Sequence, residues 1–94
     1  MSLSRRETLF EPGEASDLAL RALVWILSDD RRAERLLSLT GLTPDALRSG
    51  LDDTATQLAV LDFLAAHEAD LIGAADAAGV SPERLAAARA ELAR

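Results

Sequence analysis

Apolar residues recur at helical spacing along most of the chain and predict an all-α fold. The longest pattern, from about Glu14 to Ser28, places leucine, alanine and tryptophan on a broad arc, which predicts a first helix in the middle of the molecule. Shorter patterns predict further helices over 31–39, 44–49, 54–66, 68–77 and from Pro82 to the C-terminus. We therefore expect a compact five- or six-helix bundle.

One connector occurs twice, as Gly41-Leu42-Thr43-Pro44-Asp45 and as Gly79-Val80-Ser81-Pro82-Glu83. Glycine is the residue that ends helices in the left-handed conformation, hydroxyl side chains cap the next helix, and proline suits its first position. We expect a positive φ at both glycines, and we treat Gly41, Pro44, Gly79 and Pro82 as structural connectors.

A shift of 38 residues aligns the two halves beyond these connectors and places Trp25 on Phe63. This predicts two pseudo-repeated three-helix units, residues 16–50 and 54–88, within one domain. The alternative is that any two segments rich in leucine and alanine align once the connectors match. The second half has Ala74-Ala75 where the first has Leu36-Leu37, so helix five should pack closely, with Gly73 admitting a neighbouring backbone.

Residues 1–13 are expected to form a flexible N-terminal tail that Leu9 and Phe10 anchor, and residues 14–94 a single helical domain. No apolar run approaches the roughly 20 residues of a membrane span, and the start lacks the features of a signal peptide. The chain contains no cysteine, which fits a cytoplasmic protein.

Composition narrows the chemistry further. Leucine and alanine supply 37 of the 94 residues, which favours helix over strand. The net charge of −6 argues against nucleic acid as a partner of the whole molecule. There is no glycine-rich phosphate loop and no metal-ligand spacing, so we expect no cofactor, no metal and no small-molecule ligand.

Polar residues at the predicted helix starts have structural explanations. Asp29 and Asp30 are expected to cap the second helix, and nearby Arg31, Arg32 and Arg35 to form ion pairs with neighbouring acids. The fourth helix has a capping-box spacing at Thr54 and Gln57, with Asp52 or Asp53 as the alternative cap.

Two functional alternatives stay open. His67 beside Glu68 and Asp70 could serve as a general base, although the same composition suits a solvated helix junction, and we expect no enzyme. Residues 68–94 resemble the helix-turn-helix element of bacterial repressors. A DNA-binding face there would use Arg84, Arg89 and Arg94, but the segment has five acids against these three bases, a net of −2.

The order of motifs resembles a bacterial family of short helical proteins, domain of unknown function 3572. The segments that carry the resemblance are Leu39 to Arg48, Val60 to Leu64, and Ala78 to Glu83. It implies an all-helical fold over about residues 15–90 and supplies no catalytic residue. The resemblance leaves the function open, and from the residues themselves we expect a non-catalytic module that binds a protein partner or self-associates. Phe10, Trp25 and Phe63 are the candidate interaction surface, unless these rings belong to the core.

Overall fold

The computed structural model describes residues 9–94, and within that range it contains six α-helices and no strand. The helices are α1 (Glu14–Leu27), α2 (Asp30–Thr40), α3 (Pro44–Ser49), α4 (Thr54–Ala65), α5 (Glu68–Ala78) and α6 (Pro82–Leu92). The predicted all-α fold is confirmed. The radius of gyration, 12.9 Å, is close to the roughly 12 Å expected of a compact chain of this length.

Helix α1 lies at the centre of the bundle, as its apolar pattern predicts. It packs against α2, α4, α5 and α6, and its fully buried residues include Ala22 and Ile26. Because leucine, alanine, valine and isoleucine build most of the core, the helices meet through aliphatic side chains. Phe63 is the one aromatic ring among the buried core residues of the described chain.

Both connectors have the predicted geometry. Gly41 and Gly79 each have a φ of 76°, in the left-handed region that glycine adopts without strain. The hydroxyls of Thr43 and Ser81 accept hydrogen bonds at 3.0 Å from the amides of Ala46 and Arg84. These local contacts end one helix and begin the next within four residues.

The starts of α2 and α4 differ from each other. Asp29 caps α2 by accepting from the Arg32 amide at 3.0 Å, as expected. Asp53 holds the equivalent position of α4 without a side-chain cap bond, and the predicted Thr54–Gln57 capping box is wrong. Gln57 is buried instead, and its Nε2 donates at 2.8 Å to the Leu51 carbonyl oxygen. That oxygen lies in the turn between the halves, so Gln57 stabilises this turn.

The two halves share their helix boundaries but differ in packing. Four helix ends or starts in the first half recur 38 residues later, in the pairs Leu27/Ala65, Asp30/Glu68, Thr40/Ala78 and Pro44/Pro82. Helix α6 has 11 residues and packs against α1, α4 and α5, whereas its counterpart α3 has 6 residues and belongs to none of the extensive helix pairs. The two halves therefore have the same order of helices, but α3 covers less of the first half than α6 covers of the second.

The N-terminal segment is anchored by Phe10. The Arg84 guanidinium lies 3.8 Å from the centre of the Phe10 ring, while Leu9 is 59% exposed and anchors nothing. The amide of Glu14 donates to the Glu11 carbonyl at 2.9 Å, which ties the turn before α1. The rest of the predicted flexible tail, residues 1–8, lies outside the described residues.

Candidate functional site

An apolar groove opens between the first three helices, and we call it the α1–α3 groove. Its volume is about 370 Å³. Leu23 and Leu27 of α1, Ala33 and Leu37 of α2, Pro44, Leu47 and Arg48 of α3, and the following Leu51 line it. Leu47 is almost fully buried at its floor, whereas Leu27 is 45% exposed and Leu51 39% exposed. Two large apolar side chains therefore meet solvent at one concave surface.

The groove exists because α3 stops early. Gly50 follows α3, and a methyl group added there would lie 2.5 Å from the Thr56 hydroxyl and 2.9 Å from the Ala46 carbonyl oxygen. Helix α3 ends at Ser49, and Leu51 follows the tight turn at Gly50. Beyond this short helix, Leu27 of α1 remains 45% exposed, although Leu23 one turn earlier is buried.

Acidic residues flank the groove. On α2, Asp30 and Glu34 are exposed beside the Ala33–Leu37 stripe, since residues three and four apart share a helix face. Asp52 and Asp53 are exposed directly after Leu51. On α3, Arg48 contacts Asp45 at 3.6 Å, so the one cation of this set is paired with an acid. The five acids Asp30, Glu34, Asp45, Asp52 and Asp53 against Arg48 give the flanks a net charge of −4.

Trp25 is half-buried in a different place, between α1, α2 and α5. The Arg32 guanidinium lies 3.8 Å from the centre of a Trp25 ring, and its Nη2 donates at 2.7 Å to the Trp25 carbonyl oxygen. On α5, a methyl group on Gly73 would collide with the indole, coming within 2.7 Å of its ring carbon Cη2. The expected backbone approach at Gly73 is therefore wrong at this point, because the space is filled by an aromatic ring.

A shallow depression adjoins Trp25, with Arg21, Val24, Ser28 and Ala77 as its other lining residues. Its volume is about 440 Å³. Polar groups share this lining, and Arg32 and Gly73 already contact the indole. The α1–α3 groove is the more apolar of the two surfaces, so we favour it as the functional site.

Phe63, inside α4, contacts His67, which lies just after the end of that helix. Phe63 is 4% exposed, so it offers no surface to a partner and belongs to the core. The His67 ring lies 4.7 Å from the Phe63 ring, and its Nδ1 is 2.7 Å from the Phe63 carbonyl oxygen. Because a carbonyl only accepts, Nδ1 donates in this bond. His67 thus occupies a helix junction.

The two carboxylates that neighbour His67 in sequence differ in their surroundings. The Asp70 carboxylate accepts from Arg35 at 2.8 Å, and Glu68 is exposed at the first turn of α5. The same Arg35–Asp70 pair joins α2 to α5, as expected of a salt-bridged surface. His67 and Asp70 therefore each take part in a contact that joins elements of the fold.

The three arginines of the DNA-binding alternative are all paired with acids. Arg84 contacts Glu14 at 2.8 Å, Arg94 contacts Glu91 at 3.1 Å, and Arg89 contacts Asp62. The hydrogen bond from Arg84, with the Glu11 amide as a second donor, holds the pKa of Glu14 below its usual range. Each arginine of this segment therefore already has a carboxylate partner.

Residues 9–94 contain neither a metal cluster nor a candidate membrane span. Within that range, no three His, Cys, Asp or Glu side chains lie close enough together to hold a metal ion. None of the helices described there has both the length and the apolar character that a membrane span requires.

Comparison with known proteins agrees with the resemblance seen in the sequence. The sequence model of the family described as "Protein of unknown function (DUF3572)" matches residues 12–94. The chain belongs to the DUF3572 family. The match spans all six helices, and so includes every residue of the α1–α3 groove. Neither a curated protein nor a solved structure matches the chain.

The sequence interpretation did not identify the groove, although the repeat contained a signal for it. Leu27 aligns with Ala65 and Leu51 aligns with Arg89, and both counterparts in the second half are exposed. A small or a charged residue suffices at these surface positions in one half, whereas the other half has leucine at both. Exposed Val24 and Leu39 show the same contrast with Asp62 and Ala77 outside the groove, so only the tertiary fold brings Leu27 and Leu51 together on one surface.

Proposed function

We propose that the chain is a non-catalytic interaction module that acts in the cytoplasm and binds an apolar segment of a protein partner in the α1–α3 groove. The observation that carries this proposal is the exposure of Leu27 (45%) and Leu51 (39%) at the mouth of one concave, apolar surface. Contiguous apolar surface of this kind is characteristic of interaction sites.

Covering the groove gives a physical reason for association. Burying a leucine side chain completely is worth about 1.5–3 kcal/mol, and the exposed portions of Leu27 and Leu51 would contribute a share of that. The groove floor is preformed by Leu23, Leu37 and Leu47, so a partner would not have to order it. Such a site suits one short segment better than a large flat interface.

Self-association through the same surface is the second form of this proposal. The groove would then be covered by another copy, and association would depend on protein concentration. An isologous dimer, however, would bring two acidic flanks of −4 together, which disfavours it at low salt. A different protein, without this acidic surface, is therefore the better partner on electrostatic grounds.

Site-specific photo-crosslinking tests the proposal. A photoreactive amino acid replaces Leu51 in the groove, and in a matched control it replaces Ile72, which is 51% exposed on α5, outside the groove. Irradiation in the cells that naturally produce the chain should give a defined adduct from position 51 and none of the same mass from position 72. No adduct from position 51, or the same adduct from both, would contradict the proposal.

A further inference from the structure

We infer that the segment held by the α1–α3 groove is a basic amphipathic helix, with an apolar stripe in the groove and lysine or arginine over its flanks. This inference rests on the proposed function, since it names the partner class for the same surface. Two observations carry it: the shape and apolar lining of the groove, and the charge of its surroundings.

The lining favours a helix as the occupant. Three helices bound the groove, with Leu47 at the floor and Leu27 and Leu51 at the edges. An amphipathic helix presents apolar side chains at positions i, i+3, i+4 and i+7, which form one narrow stripe. A stripe of that kind can enter a groove between helices while its own backbone hydrogen bonds remain satisfied within the helix.

The flanks determine the charge of the occupant. Asp30 and Glu34 lie on one side, and Asp52 and Asp53 follow Leu51. The nearby Arg48 already contacts Asp45. The resulting net of −4 attracts lysine or arginine beside the apolar stripe and repels an acidic helix.

The charge of the whole molecule acts in the same direction. The net charge of −6 includes the −4 of the flanks, so the remainder of the chain carries −2, and the field of the molecule speeds the approach of a cationic partner. The flanking carboxylates are exposed, so this attraction weakens as salt screens it over about 10 Å at 0.1 M. A second copy of the chain would carry the same charge and be repelled.

The test measures binding of labelled model peptides to the full chain by fluorescence anisotropy. One peptide carries leucine at helical spacing with lysine elsewhere, a second has glutamate in place of lysine, and a third scrambles the leucine–lysine order. We expect the leucine–lysine helix to bind, and its affinity to fall about tenfold or more between low and physiological salt. The glutamate and scrambled peptides should bind at least about tenfold more weakly.

Variants locate the binding. Leu51→Asn should weaken binding of the leucine–lysine peptide, whereas Ile72→Asn, an equally polar change at an exposed apolar position outside the groove, should leave it unchanged. The double variant Glu34→Arg/Asp52→Arg raises the net charge of the flanks from −4 to 0, so it should abolish the preference for the leucine–lysine peptide over the glutamate peptide. Circular dichroism and thermal unfolding of each variant show that it remains folded.

Several results would overturn the inference. Tighter or equal binding of the glutamate peptide would show that the groove does not select a basic helix, while the proposed function would still stand on the crosslinking result. Equal binding of the scrambled peptide would indicate non-specific charge attraction. If no peptide bound, a basic amphipathic helix would be excluded as the occupant of the groove. A concentration-dependent dimer that Leu51→Asn abolishes, seen by light scattering, would make a second copy the occupant.

Discussion

Trp25 is held by contacts from two other helices, and its position depends on one missing methyl group. Arg32 of α2 stacks on the indole and also binds the Trp25 carbonyl oxygen. Gly73 of α5 supplies the space into which the ring projects. An arginine over an aromatic face contributes roughly 0.5–1 kcal/mol at a partly exposed site. Trp25 thus links α1 to α2 and α5, and these contacts cover part of its ring.

Substitution of Gly73 by alanine should destabilise the fold. Alanine is favoured over glycine within a helix by about 1 kcal/mol, but overpacking typically costs about 1–3 kcal/mol. A methyl group 2.7 Å from Cη2 of Trp25 makes the second effect the larger one. Urea unfolding should show a lower free energy of unfolding, and the fluorescence of this single tryptophan should shift to the red as the ring moves into solvent.

The control for this prediction is the same substitution in a Trp25→Leu background. With the indole removed, Gly73→Ala should be neutral or stabilising, because only helix propensity remains. A Gly73→Ala variant that is more stable than the parent, with unchanged tryptophan emission, would show that the ring does not need this space.

Because of Asp29, the stability of the fold should depend on pH below about pH 4. The hydrogen bond from the Arg32 amide, followed by the charge of Arg32, holds the pKa of Asp29 below its ordinary value of about 3.9. The unfolded chain therefore binds this proton first as the pH falls. Stability from the ionised cap is fully present above about pH 4 and is lost as the pH falls through the lower folded pKa.

Two variants separate the ionisation of Asp29 from its capping role. In Asp29→Asn, the new amide side chain can still accept from the Arg32 amide but cannot titrate, so the melting temperature should vary less with pH below about 4 than that of the parent. Asp29→Ala loses the cap and should melt lower over the whole pH range. Parallel melting curves of the parent and Asp29→Asn between about pH 2 and 6 would contradict the assignment.

At the scale of helices, the sequence predicts boundaries well because local chemistry sets them. Helix α3 runs over Pro44–Ser49 as expected, since Thr43 caps it, Pro44 suits its first turn and Gly50 follows its end. The other boundaries agree within one or two residues, and the same chemistry recurs at several of them: side chains cap α2 and α6, and glycine follows α2 and α5. The hydrogen bonds at these boundaries connect residues at most five apart, so no knowledge of the tertiary fold is needed.

Contacts between distant residues could not be predicted in this way. Gln57 has the spacing of a capping box, yet it is buried and donates to the Leu51 carbonyl oxygen in the turn between the halves. Gly73 looks like a site of close backbone packing, but the space is taken by a ring from a residue 48 positions earlier in the chain. Phe63 and Trp25 align in the repeat and still differ in burial. Each outcome depends on how the helices are arranged.

The two connector glycines should respond alike to substitution. Nothing lies within 4 Å of a methyl group added to Gly41 or Gly79, so the cost of alanine there comes from the left-handed backbone alone, about 1–2 kcal/mol at each position. Asparagine should cost less than alanine, because it tolerates this conformation better. Thermal or urea unfolding of the four variants measures these differences.

Gly50 provides the contrast to this prediction. Its φ of −105° is open to any residue, but its methyl group would collide with Thr56 and Ala46. Gly50→Ala should therefore be rescued in part by Thr56→Ala, whereas no neighbouring substitution should rescue Gly41→Ala. Alanine at Gly41 and Gly79 without loss of stability would show that the left-handed caps do not matter.

At the scale of the whole molecule, the unequal halves explain the groove. Helix α6 continues through Ala88, which is fully buried, and so completes the packing of the second half. Its counterpart α3 ends before Gly50, at the matching position, and Leu27 of α1 stays 45% exposed beside it. The second half is thus closed by α6, whereas the first half has the apolar α1–α3 groove.

The most direct test of the groove is a methyl NMR spectrum of the leucine-labelled chain, recorded as the leucine–lysine peptide is added. Methyl groups of Leu23, Leu37, Leu47 and Leu51 should shift together with one dissociation constant, while those of Leu64 and Leu85, fully buried away from the groove, should stay in place. Shifts at Leu64 and Leu85 without shifts in the groove, or no saturable shift at any leucine, would contradict the claim that this surface binds a basic helix.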